Sequence, residues 1–238
     1  MTYCVPIVAI VAYICYPKGL RINENVLYCI SVLHNTLLIS FSAWVFISMC
    51  GVLDKYGIVF KSNHYFQFEE FDKIMYYFYL SKYYEFFDTF LLYLKGREPI
   101  FLQKYHHIGA VLAWHGAYVN KMDSIWIPSF ANSFIHTIMY SYYLGCLLKI
   151  KQVRFIKKYL TSMQLMQLVG TMSLCNYYYT PPNDSWENYQ VMCFINFYNI
   201  GLIVLFIDFF KRNYSVRIQE AKKKENMCKI ILKDAEHE

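Results

Sequence analysis

The sequence is poor in charge. Asp, Glu, Lys and Arg make up 17% of its 238 residues, against about a quarter in a water-soluble domain, and that deficit excludes an ordinary soluble fold. Closely paired cysteines are missing as well. The eight cysteines stand singly at 4, 15, 29, 50, 146, 175, 193 and 228, with no CxxC among them, so neither a zinc site nor a disulfide framework is signalled. Most lie in apolar runs, where a free thiol behaves as a small hydrophobe. Internal repeats and low-complexity runs are missing too, and no segment reads as an extramembrane domain. The first stretch, TYCVPIVAIVAYICY, has neither a basic n-region nor a small-residue cleavage site, which argues against a signal peptide. The final AEHE is neither a KDEL-type address nor a terminal dilysine.

What is abundant is apolar and aromatic. Hydrophobic residues make up 57% of the chain, with 24 Tyr and 19 Phe, a composition suited to seating aromatics at membrane interfaces. Seven apolar stretches can be drawn, at 2–16, 26–51, 68–94, 99–119, 124–148, 155–178 and 188–210. All but the first reach the roughly 20 residues needed to cross the hydrocarbon core; the first is short and carries Pro6. The fold predicted is all-α: a polytopic membrane protein of seven transmembrane helices over 1–210, with a basic tail over 211–238. Lys and Arg orient it. With the tail cytoplasmic and the N-terminus on the far side, 17 of the 23 basic residues fall in cytoplasmic segments. Only Lys55, Lys61 and Lys121 fall in the opposite loops. That asymmetry follows the positive-inside rule, so the net charge of +6 reflects orientation toward membrane lipid and phosphate, not a nucleic-acid stripe.

Polar side chains recur at one depth. From a rise of about 1.5 Å per residue, His106 lies roughly 10 Å from the cytoplasmic end of its span, with Asp88 and Glu85 at about 9 and 13 Å in theirs. His136 comes out at roughly 18 Å, and Gln164 and Gln167 at about 13 and 18 Å. His34, Asn35 and Asn199 fall in a similar layer, Asn196 one turn deeper. Isolated polar groups in a bilayer are costly, so these are expected to face one shared interior open to the cytoplasm. Helical phase agrees. Gln103, His106 and His107 form one stripe, Asn132, His136 and Met139 a second, and Lys82, Glu85 and Thr89 a third with Asp88 at its edge. Lys82 is expected to offset Glu85. His34 reads as a packed, hydrogen-bonded core residue, and His115 as interfacial. The Gln164/Gln167 pair could equally bond neighbouring helices.

These residues carry a resemblance. SKYYEFFDT (81–89) is similar to the KxxExxDT signature of the fatty-acid elongase (ELO) family of endoplasmic-reticulum membrane enzymes. FLQKYHH (101–107) resembles that family's HxxHH box, NSFIHTIMYSYY (132–143), which includes Tyr140, its NxxxHxxMYxYY box, and TSMQLMQ (161–167) its TxxQxxQ element. The resemblance implies a multi-pass endoplasmic-reticulum enzyme, N-terminus lumenal and C-terminus cytoplasmic. Six spans would surround an acyl tunnel, with the first packed outside. The activity implied is 3-ketoacyl-CoA synthesis: acyl-CoA and malonyl-CoA condense with loss of CO2 and CoA.

By the same resemblance His106 is the leading nucleophile, with His136 and His107 as activating or donor groups. Asn132 and Gln103 would orient imidazoles or bind carbonyl oxygens. Glu85 and Asp88 would fix an imidazole tautomer. Lys82, Tyr140, Gln164 and Gln167 complete the expected substrate-binding set, and Lys95, Arg97, Lys149, Lys151 and Arg154 would meet CoA phosphates. No metal or cofactor is expected. The implied partners are the two CoA thioesters, membrane lipid, a second copy as homodimer, and the reductase and dehydratase of the elongation cycle.

One departure stands out. The first His of HxxHH is Gln103, which hydrogen-bonds but cannot titrate. A catalytically silent elongase-like protein is therefore a rival, as is a transporter or scaffold with a polar layer. A membrane di-iron desaturase or hydroxylase would need about eight histidine ligands. Here there are seven histidines, and no HxxxH.

Overall fold

In an apolar run the helix is the conformation that satisfies its own backbone, and the described residues of this chain, 4–16, 19–181 and 184–215 of a computed structural model, form helices and contain no strand. Lys18, the tail beyond 215 and the side chain of Arg154 lie outside what is described. The helices are α1 (Cys4–Ile14), α2 (Glu24–Tyr56), α3 (Glu69–Tyr84), α4 (Phe86–Leu94), α5 (Phe101–Val119), α6 (Trp126–Leu147), α7 (Ile156–Tyr178) and α8 (Trp186–Phe210). Local chemistry sets several ends. Asn23 accepts from the Asn25 amide ahead of α2, and the Ser185 hydroxyl accepts from the Asn188 amide ahead of α8, each satisfying a free N–H of a first turn. The stretch 68–94, unbroken in its apolar pattern, is not one helix: α3 stops at Tyr84 and α4 begins at Phe86.

Six elements close a ring. Going round it, α2 packs on α6, α6 on α7, α7 on α8, α8 on α5, α5 on α3, and α3 back on α2. Helix α1 stays outside, on α5, with Tyr13 stacked on Phe86 of α4 at 4.3 Å. The ring is polar within and apolar without. Leu33, Leu37 and Ile47 of α2 and Phe194, Phe197 and Val204 of α8 are exposed, whereas His34, Lys82, Glu85, His107 and His136 are buried. Two helical segments, Glu24–Tyr56 and Trp186–Tyr214, are long and apolar enough to cross a membrane. Apolar surface on that scale needs something other than water against it.

One end of the ring is a solid plug. Val45, Met49, Phe71, Met75, Phe78, Ala117, Met122, Trp126, Tyr179 and Met192 pack there as a single buried cluster. Asp123 pins the connecting loop to it: its carboxylate accepts the backbone N–H groups of His64, Tyr65 and Phe66, the last two at 3.2 and 3.0 Å. Asp123 is 1% exposed, so these amides have little water to turn to. Asp123→Ala is expected to cost about 3 kcal/mol, because it strands three donors that had a charged acceptor. Thermal unfolding in detergent checks this, with Asp123→Asn, which keeps one acceptor oxygen, losing less.

Candidate active site

The break between α3 and α4 falls at Glu85, where the Asp88 amide bonds the Glu85 carbonyl at 3.1 Å in an i to i+3 pattern. Such tightening within a helix often marks a working site. Here it sits in the middle of the stripe Lys82, Glu85 and Thr89, each 2% exposed. The Lys82 ammonium donates to Glu85 Oε1 at 2.7 Å and to Asn132 Oδ1 at 3.1 Å, so the expected charge offset is present. An ammonium only donates, so the second contact fixes the Asn132 amide: Oδ1 faces the lysine and the NH2 group is left to donate elsewhere. His136 Nδ1 stands 3.7 Å from the same Glu85 oxygen, within ion-pair reach and beyond a hydrogen bond.

Helix α5 brings the adjacent histidines to this point. The His106 and His107 rings lie 5.5 Å apart and nearly perpendicular. Glu85, His106 and His107 place one ligand-type atom each within 4.8 Å of one another. By donor type that set could hold a metal ion, yet the Lys82 ammonium already occupies Glu85 Oε1, and a fixed cation there repels a second. His107 is 5% exposed, and its Nδ1 has no hydrogen-bond partner among the described residues. A clasp with α8 holds the start of α5: Tyr198 donates to the His106 carbonyl at 3.1 Å, and Tyr105 donates to the Tyr198 carbonyl at 3.1 Å. The two rings stack at 5.5 Å, over Gly109 and Gly201, where any Cβ would collide with them.

The other sequence-predicted residues divide. Asp88 turns toward α2 and α6, where Oδ1 accepts from His34 Nε2 and Oδ2 from the Tyr140 hydroxyl, each at 2.8 Å. The tautomer it holds is thus that of His34, not of a histidine in the boxes. His34 is packed and hydrogen-bonded, as expected, and it joins the polar interior in which its depth placed it; its partner Asp88 was not legible in the sequence. The Gln103 amide donates to Thr89 Oγ1 at 3.3 Å, and the Tyr13 hydroxyl meets the same oxygen at 2.9 Å. Gln103 therefore contacts the α1 side, and α1, which has no recognisable motif, supplies Tyr13. Gln164 reaches Met139 Sδ at 3.3 Å. His115, expected near the far interface, is buried within the bundle, with Tyr79 Oη 3.0 Å from its Nδ1. Its apolar neighbours Ala113 and Ala117 are interior residues too, and they carry it inward.

A cavity of about 110 Å³ runs from this cluster into the ring. Lys82, His106 and Asn132 line one part of it. Ala110, Ala113 and Ala117 of α5 form a wall, and Met122, Ile125 and Met192 line the part belonging to the plug. Gln167, Thr171, Asn196 and Asn199 add a polar strip from α7 and α8. Asn196 is already committed, exchanging amide hydrogen bonds with Asn176 at 2.6 and 3.0 Å.

Known proteins share this sequence pattern. Residues 1–225 match the profile of the ELO, or GNS1/SUR4, family. Fatty acid elongase A of Dictyostelium discoideum is 30% identical over 245 residues, covering 93% of this chain and 86% of that protein. Very long chain fatty acid elongase 7 of Drosophila melanogaster is 30% identical over 222 residues, covering 87% and 67%. Fatty acid elongase sre1 of Dictyostelium discoideum is 31% identical over 159 residues, covering 66% of this chain, which spans 58% of that protein's length.

Proposed function

Because the chain belongs to the GNS1/SUR4 (ELO) family, we propose that it is a 3-ketoacyl-CoA synthase of seven spans in the endoplasmic-reticulum membrane, N-terminus lumenal and tail cytoplasmic. The observation that carries this reading is the meeting of His106 with Lys82 and Asn132 on a cavity that runs to an apolar plug. An acyl chain needs such a slot, and a thioester carbonyl needs a nucleophile at its mouth.

The reaction divides into two balanced steps. A ring nitrogen of His106 attacks the thioester carbonyl, the C–S bond breaks, and the imidazole proton leaves with the thiolate as CoA thiol. Neutral imidazole suits this step and leaves the acyl group activated. Malonyl-CoA then loses CO2. The resulting carbanion forms the new C–C bond at the acyl carbon, and the His106–acyl bond breaks with one proton taken up from water. The Asn132 NH2, turned away from Lys82, is the donor for the carbonyl oxygen that gains charge. Lys82 and Glu85 hold that amide and His136 in place. The chemistry is read as metal-free, since the Lys82 ammonium on Glu85 Oε1 would repel a second cation beside it. Gln103, bonded to Thr89 rather than to a histidine, serves as an orienting residue and does not disable the site.

Incubating the protein with acyl-CoA alone tests the covalent step. Peptide mass analysis is expected to place the acyl group on His106; CoA release with no adduct at His106 contradicts it. Chain length is the next expectation. Met192→Ala opens the plug end of the cavity and should lengthen the preferred acyl chain by about two carbons, one methionine being worth several methylenes of space. Competition among acyl-CoAs of graded length reads the shift.

A further inference from the structure

We infer that His34 of α2 is a positioning residue of this site, setting the orientation of Tyr140 and through it of His136; this rests on the condensing activity proposed above. The donors and acceptors match along one chain of contacts. A carboxylate oxygen accepts, so His34 Nε2 donates in its 2.8 Å contact with Asp88 Oδ1. Its Nδ1 meets the Tyr84 hydroxyl at 3.3 Å. Tyr140 donates to Asp88 Oδ2 at 2.8 Å. The chain Tyr84, His34, Asp88, Tyr140 is hydrogen-bonded at each link.

What the chain holds is the Tyr140 ring. That ring is 1% exposed and meets His136 edge-on at 5.6 Å, while the His34 ring meets Tyr140 edge-on at 6.3 Å. His136 makes no closer tie to its carboxylate than 3.7 Å, so ring packing has a large share in its orientation. Without the His34 donor, the partly buried Asp88 loses the partner of Oδ1. The carboxylate then turns, and Tyr140 with it. Small misplacement of a group beside the reacting carbon lowers turnover more than substrate affinity.

The test compares purified wild type, His34→Phe, His34→Gln and Tyr84→Phe in steady-state condensation, with thermal unfolding in parallel. Gln offers both an amide donor for Asp88 and an oxygen for Tyr84; Phe offers neither. His34→Phe is expected to lower kcat about tenfold, the scale of one lost charge-assisted hydrogen bond, with KM for both thioesters within about twofold. His34→Gln should recover most of the loss. Combining His34→Phe with Tyr140→Phe should cost little beyond the larger single effect, because both act on one unit. Tyr84 is 42% exposed, so Tyr84→Phe folds even if His34→Phe does not, and it should lower kcat about threefold. Unchanged kcat in either variant, or a loss shared equally with Gln and tracking only unfolding temperature, overturns the role. A wild type without turnover overturns the functional reading itself, and this role with it.

Discussion

His106→Ala is expected to reduce condensation by roughly a thousandfold or more, the scale on which an enzyme loses a covalent nucleophile. Its neighbours are replaceable in ways it is not. His107 is buried with one ring nitrogen unpartnered among the described residues. His136 stands off its carboxylate by 3.7 Å. Both can support a neighbouring group, but His106 alone of the three lines the cavity where an acyl chain would lie. His106→Ala should also keep its fold, since the contact holding α5 to α8 at this point runs through the His106 backbone carbonyl. Activity lost at unchanged unfolding temperature is the expected pattern.

Breaking the Lys82–Glu85 pair is expected to do the opposite, with stability falling first. Their side chains are 2% and 3% exposed, and removing one partner of a buried pair leaves an uncompensated charge, costing about 3–5 kcal/mol. Lys82→Met strands Glu85 and frees the Asn132 oxygen, so the unfolding temperature and activity should fall together. The double variant Lys82→Met, Glu85→Leu has no stranded charge and should regain most of the stability, because apolar replacement of a buried pair is often neutral. It should stay inactive, since nothing then fixes Asn132 or faces His136. A double variant as unstable as the single one would show that the pair is needed for folding rather than for chemistry.

The sequence made the outline legible because a membrane setting forces polar groups together. Seven apolar stretches foretold helices, and the stripes at 82, 85 and 89 and at 103, 106 and 107 pointed to a shared interior. Helical phase does not reveal partners across helices. Gln103 lies on the stripe of the histidines yet bonds Thr89, which Tyr13 reaches from outside the ring. Asp88 and Thr89 are neighbours in sequence but serve opposite sides, one toward α2 and α6, the other toward α1 and α5. The helix break at Glu85 left no Pro or Gly to announce it. His34 looked like packing because its partners lie 50 and 54 residues away.

The most direct test of the central claim is malonyl-CoA-dependent formation of 3-ketoacyl-CoA by the purified protein. It should be offered saturated and polyunsaturated acyl-CoAs of graded length, with His106→Ala and a metal chelator as parallel arms. Product that requires His106 and is indifferent to the chelator is the predicted result. Folded protein that yields no product at any chain length would contradict the account and make Gln103 the mark of a silent relative; product that disappears with the chelator would contradict its metal-free chemistry.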